Sequence, residues 1–172
     1  MANNTITAPK GFLAAGLYCG IKESGKSDLA LLVCPTGAKS AAVFTTNKIV
    51  SPAVQISRKH VKNSTVYSVV VNSGNANACT GQKGLGNAIS MCRKTASSLN
   101  AMDNTKCAAR DILVASTGII GEQLPIKKIT GGISKAAAKL SDTAKAGLDF
   151  AKTIMTTDTR VKQAVRRFEI SG

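Results

Sequence analysis

At 172 residues with 44% hydrophobic side chains, the chain can bury one sizeable core or two small ones, which places it among globular proteins. It has no Trp, two Tyr and four Phe, so that core is built from Ala, Val, Ile and Leu. A formal net charge of +14 raises nucleic acid as a partner, but the basic residues are scattered and come with no aromatic stacking set and no recognition-helix signature. An acidic small substrate, an acidic partner chain or plain solubility accounts for the charge equally well.

The five cysteines are odd in number and hold no CxxC pair, as expected of reduced, mostly buried thiols in an intracellular protein, with no metal site. His60 is the single histidine, in a basic stretch that reads as surface. A triad contained in this chain is excluded unless His60 serves it. The N-terminal MANNTITAPKG has no hydrophobic signal core and no apolar run reaches membrane-spanning length, so a cytoplasmic location is the default expectation.

In chain order, ITAPKGFLAAG from Ile6 reads as an extended lead-in with Pro9 and a Gly-punctuated apolar turn. Asp28 to Cys34 and Ala41 to Thr46 read as strands, paired as a hairpin across Pro35-Thr36-Gly37. Pro52 to Ser57 is a third short strand candidate and Val66 to Val71 a fourth, buried one. That fourth strand opens into Asn72, Ser73, Gly74, Asn75, Ala76 and Asn77. Small side chains, carboxamides and left-handed backbone suit either a polar binding loop or an ordinary Asn-rich turn.

Helical spacing of Ile89, Cys92, Ala96 and Leu99 predicts a helix over Gly84 to Leu99, its positive end beside the Asn-rich loop. Asp111 to Ser116 is a further buried strand running into Thr117-Gly118. A hydroxyl beside an unencumbered peptide N–H can stabilise charge developing on a carbonyl oxygen; a Gly-containing strand-end turn is the plainer reading. Ile126 to Leu140 and Asp142 to Met155 read as helices. Gly131-Gly132 in the first marks close packing or a late start, and Ser141 or Asp142 caps the second. Asp158, at the C-terminal end of that helix, opposes its dipole, so the Thr156-Thr157-Asp158-Thr159 cluster calls for a cause other than helix stability. Val165 to Ile170 alternates like a strand. The pattern is α/β (α+β), a layered sandwich of β-sheets covered by helices.

Six segments, ITAPKGFLAAG, DLALL, VFTTN, VVNSGNANACTG, LVASTGIIG and IMTTDT, occur in the order seen in the glutamate N-acetyltransferase (ornithine acetyltransferase) family, which the chain resembles from Ile6 to about Gly172. The resemblance implies an N-terminal-nucleophile-like fold, a precursor that cleaves itself at an Ala-Thr bond, and α and β chains that stay together as an α2β2 heterotetramer. It implies acetyl transfer from N2-acetyl-L-ornithine to L-glutamate through an acetyl-enzyme on the β-chain N-terminal Thr, whose own amino group is the base. No cofactor is implied, although acetyl-coenzyme A serves some members as donor. Carried over by motif, Thr117 and Gly118 form the oxyanion hole, and Thr156 or Thr157 contacts substrate, Thr156 being favoured; the asparagines are scaffolding.

Two features depart from the family pattern. Thr159-Arg160-Val161-Lys162 stands where a Pro-Lys pair is common, and the chain contains no Ala-Thr dipeptide. Residues 1–172 are therefore expected to be an α chain, inactive without a separate β chain. A basic nucleic-acid-binding protein, with affinity falling steeply as salt rises, and an aminopeptidase-like hydrolase of related fold are the alternatives.

Overall fold

The computed structural model describes residues 4–103 and 105–169. Its centre is one four-stranded sheet in the order β1 (Leu13–Leu17), β2 (Leu29–Ala38), β3 (Val66–Asn75), β4 (Ile112–Ile119). Neighbours β1/β2 and β2/β3 are antiparallel, whereas β3 and β4 run parallel. A parallel pair needs a long crossover, supplied here by helix α2 (Gly81–Asp103). Ala88, Met91, Cys92, Thr95, Ala96 and Leu99 form its buried stripe, at the three- and four-residue spacing that keeps one helical face on the sheet.

Helices lie on both faces. α1 (Pro52–His60), α2 and α3 (Ile126–Ala137) cover the main core, into which Leu29, Leu31, Val33, Val70, Ile112 and Val114 project from the strands. On the opposite face α4 (Ala144–Thr153) packs Ala146 and Phe150 over Ala14, Ala30 and Val71. The alternation of strand residues between the two clusters follows from the two-residue period of a pleated strand. Among the described residues no helix is long and apolar enough to cross a membrane.

Several local expectations are corrected. Leu13–Leu17, read as part of an apolar turn, is strand β1. Pro52–His60, read as a strand, is a helix: Ser51 caps it by accepting the Val54 N–H, and Pro52 stands at the first helical position, where its missing N–H costs nothing. Ala41 to Thr46 is not a strand and makes no hairpin with β2, which pairs with β1 and β3 instead. Val43 in this segment is 99% exposed, and Arg58 holds the segment by a guanidinium bond to the Thr45 carbonyl (2.9 Å) and by lying over the Phe44 ring.

The cap of α4 is Thr143, whose hydroxyl accepts the Ala146 N–H, rather than Ser141 or Asp142; Ser141 bridges Ala14 of β1. α4 ends at Thr153, so Asp158 lies beyond the helix and its supposed conflict with the dipole disappears; it pairs with Lys162. Residues 165–169 form no regular element, and Ile170, the last residue of that expected strand, lies outside the described residues. His60, read as a surface residue, is half-buried, with Nδ1 2.7 Å from the Ile112 carbonyl oxygen.

Candidate active site

The parallel strands β3 and β4 end together, and a cleft of about 960 Å³ opens at their carboxyl ends, the usual place for a site in such a sheet. Ser73 stands opposite Thr117, and Gly74 opposite Gly118. Gly118 has φ +132, and a Cβ there would run into the backbone of Gly74, itself at φ +99. The two strand ends therefore approach as only glycines allow. Thr117 is half-buried beside them, and among the described residues no hydrogen bond occupies its hydroxyl. A hydroxyl with its proton uncommitted, next to a glycine that lines the same cleft, can meet negative charge on a reacting oxygen.

The Asn-rich stretch, whose residues Asn72 to Asn75 continue β3 where a loop was expected, braces these strand ends by binding the protein itself. Asn72 donates to the Asn75 carbonyl (2.8 Å), and Asn75 donates to the carbonyls of Glu122 and Gln123 while accepting the Asn77 N–H. Asn77, at φ +48, donates to Gly84 and accepts from the Thr80 hydroxyl. Of the three asparagines only Asn75 lines the cleft, and no residue of α2 does, so the expected helix end beside the loop adds no donor to the cleft wall.

One wall is a loop that sequence reasoning missed. Asp28 is fully buried and its carboxylate accepts the backbone N–H groups of Cys19 (2.7 Å), Gly20 (3.2 Å), Ile21 (2.6 Å) and Lys22 (3.0 Å). Four converging donors disperse the buried charge and hold the loop rigid. Burial, then the Asp28 charge and hydrogen bond, push the Cys19 thiol well up; burial lowers the Lys22 ammonium. The available signal was a lone carboxylate opening the all-apolar run Leu29 to Val33, because such a group must find donors nearby.

The other wall carries Thr156 and Thr157, both exposed into the cleft just beyond α4. The structure thus brings together all four sequence-predicted residues, Thr117, Gly118, Thr156 and Thr157, and does not choose between the last two. His60 is not among the cleft residues, and among the described residues no cluster of three or more His, Cys, Asp or Glu stands ready to hold a metal ion. Hydroxyls, peptide groups, the Asn75 and Gln123 carboxamides, Lys128, Glu23 and Glu122 are polar chemistry lining the cleft, suited to binding a zwitterionic molecule and stabilising charge.

Comparison with known proteins gives a consistent result. The sequence model of the ArgJ family matches residues 13–172. The arginine biosynthesis bifunctional protein ArgJ of Caldanaerobacter subterraneus is 44% identical over 167 residues, covering 97% of this chain and 39% of that protein. The mitochondrial ArgJ bifunctional protein of Candida albicans is 45% identical over 169 residues, covering 94% of this chain and 37% of its own length. Among solved structures, ArgJ from Bacillus halodurans superposes with a TM-score of 0.84 at 35% identity, over 93% of this chain and 80% of that chain. Ornithine acetyltransferase from Mycobacterium tuberculosis, complexed with ornithine, gives 0.89 at 34% identity, over 93% of this chain and 83% of that one. The chain spans about two fifths of the length of these curated relatives, and about four fifths of the two solved chains.

Proposed function

The chain belongs to the ArgJ family, and from that premise we propose that it supplies the oxyanion-binding half of an acetyltransferase that moves acetyl from N2-acetyl-L-ornithine to L-glutamate in arginine biosynthesis. The observation that carries the reading is the meeting of Thr117 and Gly118 with Thr156 and Thr157 around one cleft. The attacking hydroxyl is the N-terminal Thr of a β chain, with its own amino group as base. That oxygen bonds the acetyl carbonyl carbon, and Thr117 and Gly118 donate to the oxygen that becomes negative. The C–N bond then breaks, the amine leaves with the proton taken from the hydroxyl, and the glutamate amine attacks the resulting ester in the reverse sequence.

Two chains are supported by length: the solved chains are about half as long as the curated relatives, as expected if a precursor is cut near its middle. An α2β2 assembly, the absence of a resident cofactor, acetyl-coenzyme A as a further donor and a cytoplasmic location belong to the same proposal. The location is supported by five unpaired cysteines, three of them buried. The test is acetyl transfer from N-acetylornithine to glutamate by the full protein that contains this chain. Transfer should be present in the wild type and about 100-fold slower in Thr117→Ala with assembly intact. A correctly assembled wild type that transfers no acetyl group would overturn the reading; so would undiminished turnover in Thr117→Ala for the role of that hydroxyl.

A further inference from the structure

The side chain of Lys22 ties the two walls of the cleft. Lys22 sends its ammonium to the carbonyl oxygens of Ser27 (2.9 Å), Thr153 (3.3 Å) and Met155 (2.8 Å). An ammonium has three N–H donors, so each is matched to a carbonyl and none is left for a substrate carboxylate. Two of the three acceptors lie at the C-terminal end of α4, where a cation also meets the negative end of the helix dipole. The Ser73 hydroxyl donates to the same Thr153 carbonyl, and Ser73 is the residue opposite Thr117. The stem of Lys22 lies over Gly74, where a Cβ would come within 3.0 Å of Lys22 Cγ, and Gly74 is the glycine against which Gly118 packs.

A continuous path therefore runs from Gly118 through Gly74 and Lys22 to the Met155 carbonyl, and the next residue is Thr156. Asp28 holds the Lys22 part of that path by gathering the N–H groups of the loop, that of Lys22 included. From this arrangement we propose that Lys22 is a positioning residue: its ammonium clamps the end of α4 so that Thr156 and Thr157 stand at a set distance from Thr117 and Gly118. The inference rests on the acetyltransferase reading and adds to it how the substrate-binding wall is registered against the oxyanion wall. Lys22 itself touches no substrate. Its removal loosens the threonines that do.

The experiment is a mutant cycle in the full protein that contains this chain, with acetyl transfer from N-acetylornithine to glutamate as the assay. Lys22→Met keeps the stem over Gly74 and removes the donors. It should raise KM about 10-fold or more and leave kcat within about twofold, because the oxyanion wall keeps its packing. Lys22→Arg, which keeps a cation and several donors, should recover part of the KM. In a Thr156→Ala/Thr157→Ala background Lys22→Met should cost little further, since the groups it positions are gone.

Full additivity of the Lys22 and threonine substitutions would overturn the clamp, as would an unchanged KM in Lys22→Met. So would a loss of kcat alone that follows the fall in melting temperature. If Lys22→Met does not assemble, the same cycle run with Lys22→Arg decides by the same additivity criterion. A wild type without transfer activity would count against the function, whereas an active wild type with an additive cycle counts against the clamp alone.

Discussion

Gly118 shows how much one residue of the site is constrained by backbone rather than by chemistry. Its φ of +132 and its contact with Gly74 leave no room for a Cβ. Gly118→Ala should cost about 3 kcal/mol of stability and depress acetyl transfer further than Thr117→Ser, which keeps a hydroxyl and should retain most turnover. Thermal melts beside initial rates check both; an alanine variant as stable as the wild type would mean that β3 and β4 can part without cost. The Ser-Thr-Gly strand end was legible in the sequence because a hydroxyl next to glycine has a chemical meaning in one dimension. Lys22 and Asp28 were not, because their partners lie at Thr153 and Met155, and in a loop whose curl only folding reveals.

At the scale of elements, the glycine pair in α3 separates two effects that look identical in sequence. Gly131 has open space where a Cβ would stand, whereas a Cβ on Gly132 would meet Cys19 Cβ at 2.6 Å and Leu29 Cδ2 at 2.7 Å. Gly131→Ala should therefore stabilise by about 0.5–1 kcal/mol through helix propensity. Gly132→Ala should destabilise by about 1–3 kcal/mol despite the same propensity gain, because the core must shift to admit a methyl group. Denaturant titration reads both signs, and two shifts of the same sign would refute the packing assignment. For α1, Ser51→Ala should cost about 1 kcal/mol in the same titration by freeing the Val54 N–H.

Val54, Gln55 and Ile56 favour a strand by composition, yet Ser51-Pro52 is a cap followed by a first-turn proline, and Ala53, Ile56 and Ser57 fall on one buried helical face. Ala41 to Thr46 forms no strand for the opposite reason. Its Val, Phe and Thr residues suit a strand by composition, but such residues make a strand only where a neighbour completes the ladder, and Val43 and nearby Ile49 remain 99% and 82% exposed.

Across the whole molecule, buried thiols make stability depend on alkaline pH. Burial pushes Cys92 from 9.0 up to about 12, and Cys19 and Cys107 are also raised, chiefly by burial. Above about pH 9 the unfolded chain loses these thiol protons while the native chain keeps them, so stability falls as pH rises. Cys92 alone contributes a slope of up to about 1.4 kcal/mol per pH unit between 9.0 and about 12. Melting temperatures measured from pH 8 to 10.5 should decline, and a flat profile would show these thiols to be solvated. In the native state a thiol reagent should find exposed Cys79 first, with the buried Cys34, Cys92 and Cys107 reacting only on unfolding.

The residue order by itself made legible the buried strands at Asp28 to Cys34, Val66 to Val71 and Asp111 to Ser116, the α2 stripe, the family and Thr117-Gly118 as neighbours at a strand end. Each of these is a local pattern, a run, a period or a motif, whose physical cause lies within a few residues. The folded chain alone decided that β3 pairs in parallel with β4, that the two threonines after α4 face the strand ends, and that Lys22 joins the walls. Those relations bring together residues more than forty, and up to about 130, positions apart. Only the packing of a shared core and the completion of buried hydrogen bonds can select such partners.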